Sequence, residues 1–326
     1  MTRATAVQRR VKTGAARAAR ALAKRLPIAE LAVAIGVPEV ADRLVGAEAE
    51  GLVGVCVPAA FGGRPRRLWM HHHGGDDQVA RALRDGGLWA FEPPLAPLFV
   101  ELVRRSPGAV VDAGANTGLY SLLAAAARSS ARVYAFEPVP AIADLFEANL
   151  RRNLRIARRV HLRRAALGEA SGRAALYLPP PTGTIVETSA SLDPGFKATV
   201  GEVLDVEVLT LDDVWRTAGS PPLCVVKIDT EGTEHRVVRG AATTIASARP
   251  VVVCEVLARA EVGELSSVLS PHGYVDVRLY PDSLLEASAI EFDPDAWNHA
   301  FVPEEKLGVL AGAARAIGLT LRRPGS

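Results

Sequence analysis

The sequence predicts an α/β sandwich, with helices on both faces of a mostly parallel sheet and a mainly helical extension at its N-terminal side. Two observations carry this. From Ala109 onward, short β-branched runs ("AVVDA", "RVYAF", "RVHLRRAAL", "LCVVKID", "PVVVCEV" and "YVDVRLY") alternate with helical stretches such as 118–128, 141–153 and 234–248. That alternation is the pattern of strand–crossover–strand units, whose right-handed connections place helices on both faces. The second observation is size: 326 residues, 49% hydrophobic and 23% charged, suffice for one large core plus a smaller appendage.

The chain divides into three parts on composition. Residues 1–29 form a basic, flexible leader: eight Lys and Arg residues precede the first acid, Glu30, and leave the remainder with 30 basic against 36 acidic residues. Val11, Ala15, Ala18, Leu22 and Leu26 are spaced for a weakly amphipathic helix, so the leader suggests weak contact with an anionic partner or membrane surface, or an acid-poor organellar targeting peptide, beside the plain reading of a solvated terminus. Residues 30–104 read as a helical lead-in or substrate-side cap, punctuated by Gly62-Gly63, Gly74-Gly75 and Gly86-Gly87. Its His71-His72-His73 triplet is read as ordinary loop histidines, because consecutive side chains diverge and do not share one ion easily. Residues 105–326 hold the patterned domain. No apolar run approaches the roughly 18 residues of a membrane span, the N-terminus lacks the apolar core of a secretory signal, and Cys56, Cys224 and Cys254 are odd in number and scattered. A cytoplasmic location is the expectation.

Within the patterned domain the carboxyl ends of the strands are the expected ligand side, at Asp112, Glu137, Ala166, Asp229 and Glu255. The first strand runs into "DAGANTG". Gly114 and Gly118 permit a tight strand-to-helix turn and a close approach of ligand to backbone. A dinucleotide loop would read G-x-G-x-x-G against a pyrophosphate. Here Asn116 stands where the second glycine belongs and Asp112 would repel a pyrophosphate but attract an ammonium group. Twenty-five residues later Glu137, ending "AFE", is placed to accept both hydroxyls of a ribose. Together the two acids describe S-adenosylmethionine, although each alone also suits a helix N-cap or first-turn charge.

These segments carry a resemblance. "VVDAGANTGLYSLLAA", "VYAFEPVPAIADLFEANLRRN", "AALGEASGRAALYL", "VEVLTLDDV", "VVKIDTEGTEHRVVRGA" and "VVVCEV" resemble, in order and spacing, the FkbM-type methyltransferases, over about Val110 to Tyr280. "NHAFVP", 298–303, looks like that family's closing strand, and the serines Ser189 and Ser191 lie in what resembles its variable substrate-side loop. The resemblance implies the Rossmann-like class I methyltransferase fold with a seven-stranded, mostly parallel sheet, and S-adenosylmethionine held by Asp112, Gly114, Asn116, Gly118, Glu137 and Ala166, the last bordering the adenine. It also implies O-methylation of a small-molecule hydroxyl on a sugar, glycolipid or polyketide.

Methyl transfer needs an acceptor oxygen in line with the methyl group and a destination for its proton. In this fold Asp229 and Glu255 end adjacent strands at the mouth, and Asp229 begins a carboxylate cluster with Glu231 and Glu234. Three readings stay open: a carboxylate base, a magnesium ion on Asp229 and Glu255, or a structural ion pair between Lys227 and one of these acids. His235 and His272 are secondary base candidates. A nucleic-acid methyltransferase is a rival reading, supported by the basic leader, but no Asn-Pro-Pro-aromatic turn follows the fourth strand, which ends "KIDTEG". No stable nucleic-acid partner is therefore expected. A non-catalytic S-adenosylmethionine-binding module is the other alternative.

Overall fold

The computed structural model describes residues 51–58, 65–72, 77–180, 189–196 and 198–323. The basic leader, His73 and the middle of the loop between Pro179 and Pro194 lie outside these residues. Val53–Ser326 forms one compact unit and Met1–Leu52 another, of which only Gly51 and Leu52 are described.

The unit opens with strands, not only helices. β1 (Leu52–Val57) and β2 (Arg66–His71) form a small two-stranded sheet. "LVGVCV" buries Val53, Val55 and Val57 alternately, a period of two that overrides the helical reading of this stretch. α1 (Gln78–Gly86) starts at Asp77, whose side chain accepts the Ala80 N–H at 3.0 Å. α2 (Leu95–Arg105) buries eight of its eleven residues, Phe99 among them, so the segment before residue 105 is part of the main core.

Two strand–helix units follow: β3 (Ala109–Ala113), α3 (Leu119–Ala127), β4 (Val133–Phe136), α4 (Pro140–Arg152), the short α5 (Leu154–Ala157) and β5 (Val160–Arg163). Next come β6 (Ala166–Leu167), β7 (Gly172–Leu178) and β8 (Glu202–Leu209), a separate three-stranded sheet in the order β6-β8-β7. The second half contains α6 (Leu211–Thr217), β9 (Leu223–Ile228), α7 (Glu234–Arg239), α8 (Ala242–Ala248), β10 (Val251–Glu255), α9 (Val262–Leu269) and β11 (Tyr274–Tyr280). It closes with β12 (Ser283–Ala287), β13 (Asn298–Pro303), α10 (Leu307–Ala316) and β14 (Leu321–Arg322).

The main sheet runs β14-β12-β11-β13-β10-β9-β3-β4-β5. β10, β9, β3, β4 and β5 are mutually parallel, while β13 is antiparallel to both neighbours. The expected seven strands are therefore present, from β5 to β11. Two more extend that edge, because the chain doubles back after Tyr280, which pairs with Ser283 across a two-residue turn. Crossovers leave β3 and β9 in opposite directions along the sheet, so a crevice opens at their carboxyl ends.

Register then puts the acids on one face. Asp112 on β3 is level with Lys227 on β9, and Val253 on β10 is also level with Lys227, so Glu255 stands beside Asp229 one pleat further on. α4 ties this half to the small sheet: Asn153 accepts the Trp69 N–H at 3.0 Å and donates to its carbonyl at 2.7 Å, while Asn149 accepts the His71 N–H at 2.8 Å.

Candidate active site

An open cavity lies at the carboxyl ends of β3, β4 and β9. Ala166, Leu167, Leu176 and Leu192 make part of its lining apolar; Gly114, Asn116, Glu137, Thr230 and Thr233 add backbone and polar groups, and Asp229 and Glu231 make it acidic.

Part of this lining is shaped by the turn from β3 into α3. Gly114 has φ 72°, and a Cβ there would run into the carbonyl oxygen of Asp229, so only glycine lets β3 and β9 close up at the mouth. Gly118, at φ 93°, lies against the Phe146 ring rather than the cavity, and its requirement is packing of α3 on α4. Asn116 also has a left-handed backbone, φ 52°, which turns its N–H onto Glu137 Oε2 at 2.9 Å. The Val139 N–H reaches Oε1 at 2.9 Å. Burial pushes the Glu137 carboxyl up to about 7, and these two N–H groups work against that rise. Each oxygen keeps a lone pair for a further donor.

Behind the turn lies a buried ionic set. Asp112 is fully buried: Oδ2 accepts the Ser121 hydroxyl at 2.6 Å, and Oδ1 has no partner among the described residues. Burial raises its pKa, and Lys227 opposes that. Lys227 Nζ donates to Asp229 Oδ2 at 2.9 Å and sits 4.6 Å from the centre of the Tyr120 ring. Burial disfavours the Lys227 charge, but Asp229, Glu92 and Asp112 outweigh it and hold the ammonium protonated. Glu255 is pushed up to about 9, first by burial and then by Asp229, Glu231, Glu234 and Glu92.

The residues singled out in the sequence thus fall into two shells. Gly114, Asn116, Glu137, Ala166, Asp229 and Glu231 line the cavity, whereas Asp112, Gly118, Lys227 and Glu255 stand outside its lining. Glu234 is spent on the turn, accepting the Thr230 and Gly232 N–H groups at 2.8 and 3.1 Å. The Ser191 hydroxyl donates to the Glu231 carbonyl at 2.7 Å and fastens the variable loop to the site. His272 immediately precedes β11, at the end of the sheet away from the cavity, and His235 on α7 is outside the lining. Sequence reasoning missed Glu92 and Tyr120, joined by a 2.5 Å hydrogen bond; the only signal was an acid before the Pro93-Pro94 pair. Among the described residues no group of three or more His, Cys, Asp or Glu side chains is arranged to hold a metal ion.

A nine-stranded, mostly parallel sheet with a donor-ready acid after β4 and a glycine turn after β3 defines a methyltransferase-type α/β protein. Residues 112–275 match the model of the methyltransferase FkbM domain, and the chain belongs to that family. It is 31% identical over 199 residues, 54% of this chain and 76% of the relative, to the protein named 31-O-demethyl-FK506 methyltransferase FkbM of Streptomyces tacrolimicus. Among solved structures it is similar to a methyltransferase FkbM of Methylobacillus flagellatus KT, at 20% identity and a TM-score of 0.40, covering 60% of this chain and 44% of that one. It is likewise similar to an O-methyltransferase of Bacillus cereus, at 13% identity and a TM-score of 0.36, covering 64% and 81% of the two chains. The chain therefore spans less than half of the first of these structures.

Proposed function

We propose that this methyltransferase uses S-adenosylmethionine to methylate a hydroxyl on a small molecule of the sugar, glycolipid or polyketide type. The observation that carries the proposal is the Glu137 carboxylate, held by two backbone N–H groups at 2.9 Å in the wall of a cavity lined by apolar side chains and by Asp229 and Glu231. The donor's chemistry fits that lining: apolar walls at Ala166, Leu167 and Leu176 for adenine and Glu137 for the ribose hydroxyls. When bound, it supplies a methyl group on a cationic sulfur that an oxygen attacks directly.

The chain's own residues then have a limited task. Gly114 and the turn around it border the donor in this proposal, and Thr230 and Glu231, which line the same cavity, border the acceptor. Asp229 is the proton acceptor in this proposal. Lys227 holds its Oδ2, while Oδ1 has no partner among the described residues. Magnesium is not part of the reading, because Asp229 is already paired with the Lys227 ammonium and no group of three or more His, Cys, Asp or Glu side chains among the described residues is arranged to hold a metal ion. Oxygen as the atom methylated is also supported by the name of the Streptomyces tacrolimicus relative.

Radiolabelled S-adenosylmethionine, offered with panels of sugars, glycolipids and polyketide alcohols, tests the class of acceptor. With an acceptor in hand, Asp229→Asn should lower turnover about a hundredfold or more while donor affinity changes little. Chelator should leave the wild-type rate unchanged. Wild-type turnover by folded Asp229→Asn protein would remove Asp229 from the proton path, and loss of activity in chelator restored by magnesium would reinstate the metal.

A further inference from the structure

Glu92 lies outside the matched family segment, in the short stretch before α2, yet its side chain enters the ionic set behind the cavity. Its backbone is left-handed, φ 48°, a conformation unfavourable for a glutamate and kept only where the surroundings enforce it. Tyr120 donates its hydroxyl to Glu92 Oε2 at 2.5 Å. The same Tyr120 ring packs edge-on against Phe99 at 5.1 Å and carries Lys227 Nζ at 4.6 Å from its centre. Lys227 in turn holds Asp229, which lines the cavity. A continuous physical path therefore runs from Glu92 to the acidic part of the cavity lining.

Structural need alone does not account for this set. A buried lysine requires one carboxylate, and Asp229 supplies it at 2.9 Å. The groups that face Glu92 are Tyr120 from α3, Asp112 from β3, and Lys227 and Asp229 from β9; Glu255 on β10 stands beside Asp229. Four carboxyl groups thus share one ammonium. Such a surplus of acid favours a cation in the neighbouring cavity and gives nothing to a neutral molecule of the same shape.

We propose that Glu92 is a positioning residue of the methyl-transfer site whose carboxyl group, held by Tyr120 and set against Lys227, makes the site prefer the cationic methyl donor over its uncharged-sulfur product. This rests on the S-adenosylmethionine reading above. The consequence is a built-in aid to product release: once the methyl group has left, the sulfur carries no charge and the surplus acid no longer holds it.

Calorimetric titration of the full chain with S-adenosylmethionine and, separately, with S-adenosylhomocysteine tests the proposal without any acceptor. Burial raises the pKa of Glu92 and of Glu255, so the preference for the cation should grow as pH rises from neutral to alkaline and they ionise. Glu92→Gln should cut the donor-to-product affinity ratio at the upper pH by about threefold to tenfold. Tyr120→Phe keeps the acid but loses the bond that favours its ionised form, so it should move the rise to higher pH. A ratio and pH trend in Glu92→Gln equal to wild type would overturn the proposal; if that variant does not fold, an unshifted profile in Tyr120→Phe overturns it equally. Wild-type protein that binds neither ligand would instead remove the S-adenosylmethionine reading itself.

Discussion

Glu137 is the residue on which the cofactor reading turns, and its ionisation sets a testable pH dependence. Its carboxyl is raised from the ordinary glutamate range to about 7 by burial, so the empty site holds a substantial protonated fraction near neutrality. Only the ionised form accepts hydrogen bonds at both oxygens from a diol. Affinity for S-adenosylmethionine should therefore be complete well above pH 7 and fall by up to about tenfold per unit below it. Glu137→Gln should weaken binding by about 1 to 3 kcal/mol and flatten that acid limb, as read by titration across pH. The stability sign is opposite. A raised acid favours the folded state at low pH and loses that contribution as pH rises through about 7, so Glu137→Gln should stabilise the empty protein in alkali while weakening its ligand binding.

The elements are held in place by side chains that satisfy buried backbone, and α4 shows this most directly. Asn153 satisfies both the N–H and the carbonyl of Trp69 on β2, at 3.0 and 2.7 Å. Asn153→Ala leaves both unpaired in a buried place and should cost about 1 to 3 kcal/mol in urea unfolding, with little direct effect on the cavity. Contacts of this kind explain what the sequence does and does not reveal. β3, β4, β9 and β10 are legible because each is a short β-branched run followed by helical periodicity, and Gly114 and Glu137 are legible because they end such runs. β2 is harder to read, since the backbone N–H groups of Trp69 and His71 are satisfied by residues about eighty positions away. Glu92 is illegible for the same reason: its meaning comes from Tyr120, 28 residues later. Glu234 reads as one more acid of a catalytic cluster, and only the turn geometry shows its oxygen committed to two backbone N–H groups.

At the scale of the molecule, the patterned region and the segment before it share one core. α2 contributes Leu95, Leu98, Phe99 and Leu102, all fully buried, and packs in the same cluster as α3 and α10. A chain that begins at residue 105 should therefore expose this face and lose cooperative unfolding, seen as a missing transition in thermal or denaturant melts. The acidic set also spans this division, because Glu92 comes from one side of residue 105 and Lys227 from the other. The central claim is that the cavity between Ala166 and Asp229 holds S-adenosylmethionine through Glu137. The most direct measurement is an equilibrium titration of the wild-type chain and of folded Glu137→Ala with S-adenosylmethionine and with NAD. The account predicts saturable binding of S-adenosylmethionine to wild type, affinity reduced by about 1 to 3 kcal/mol in the variant, and no comparable binding of NAD; equal affinity in both proteins, or tight binding of NAD, would contradict it.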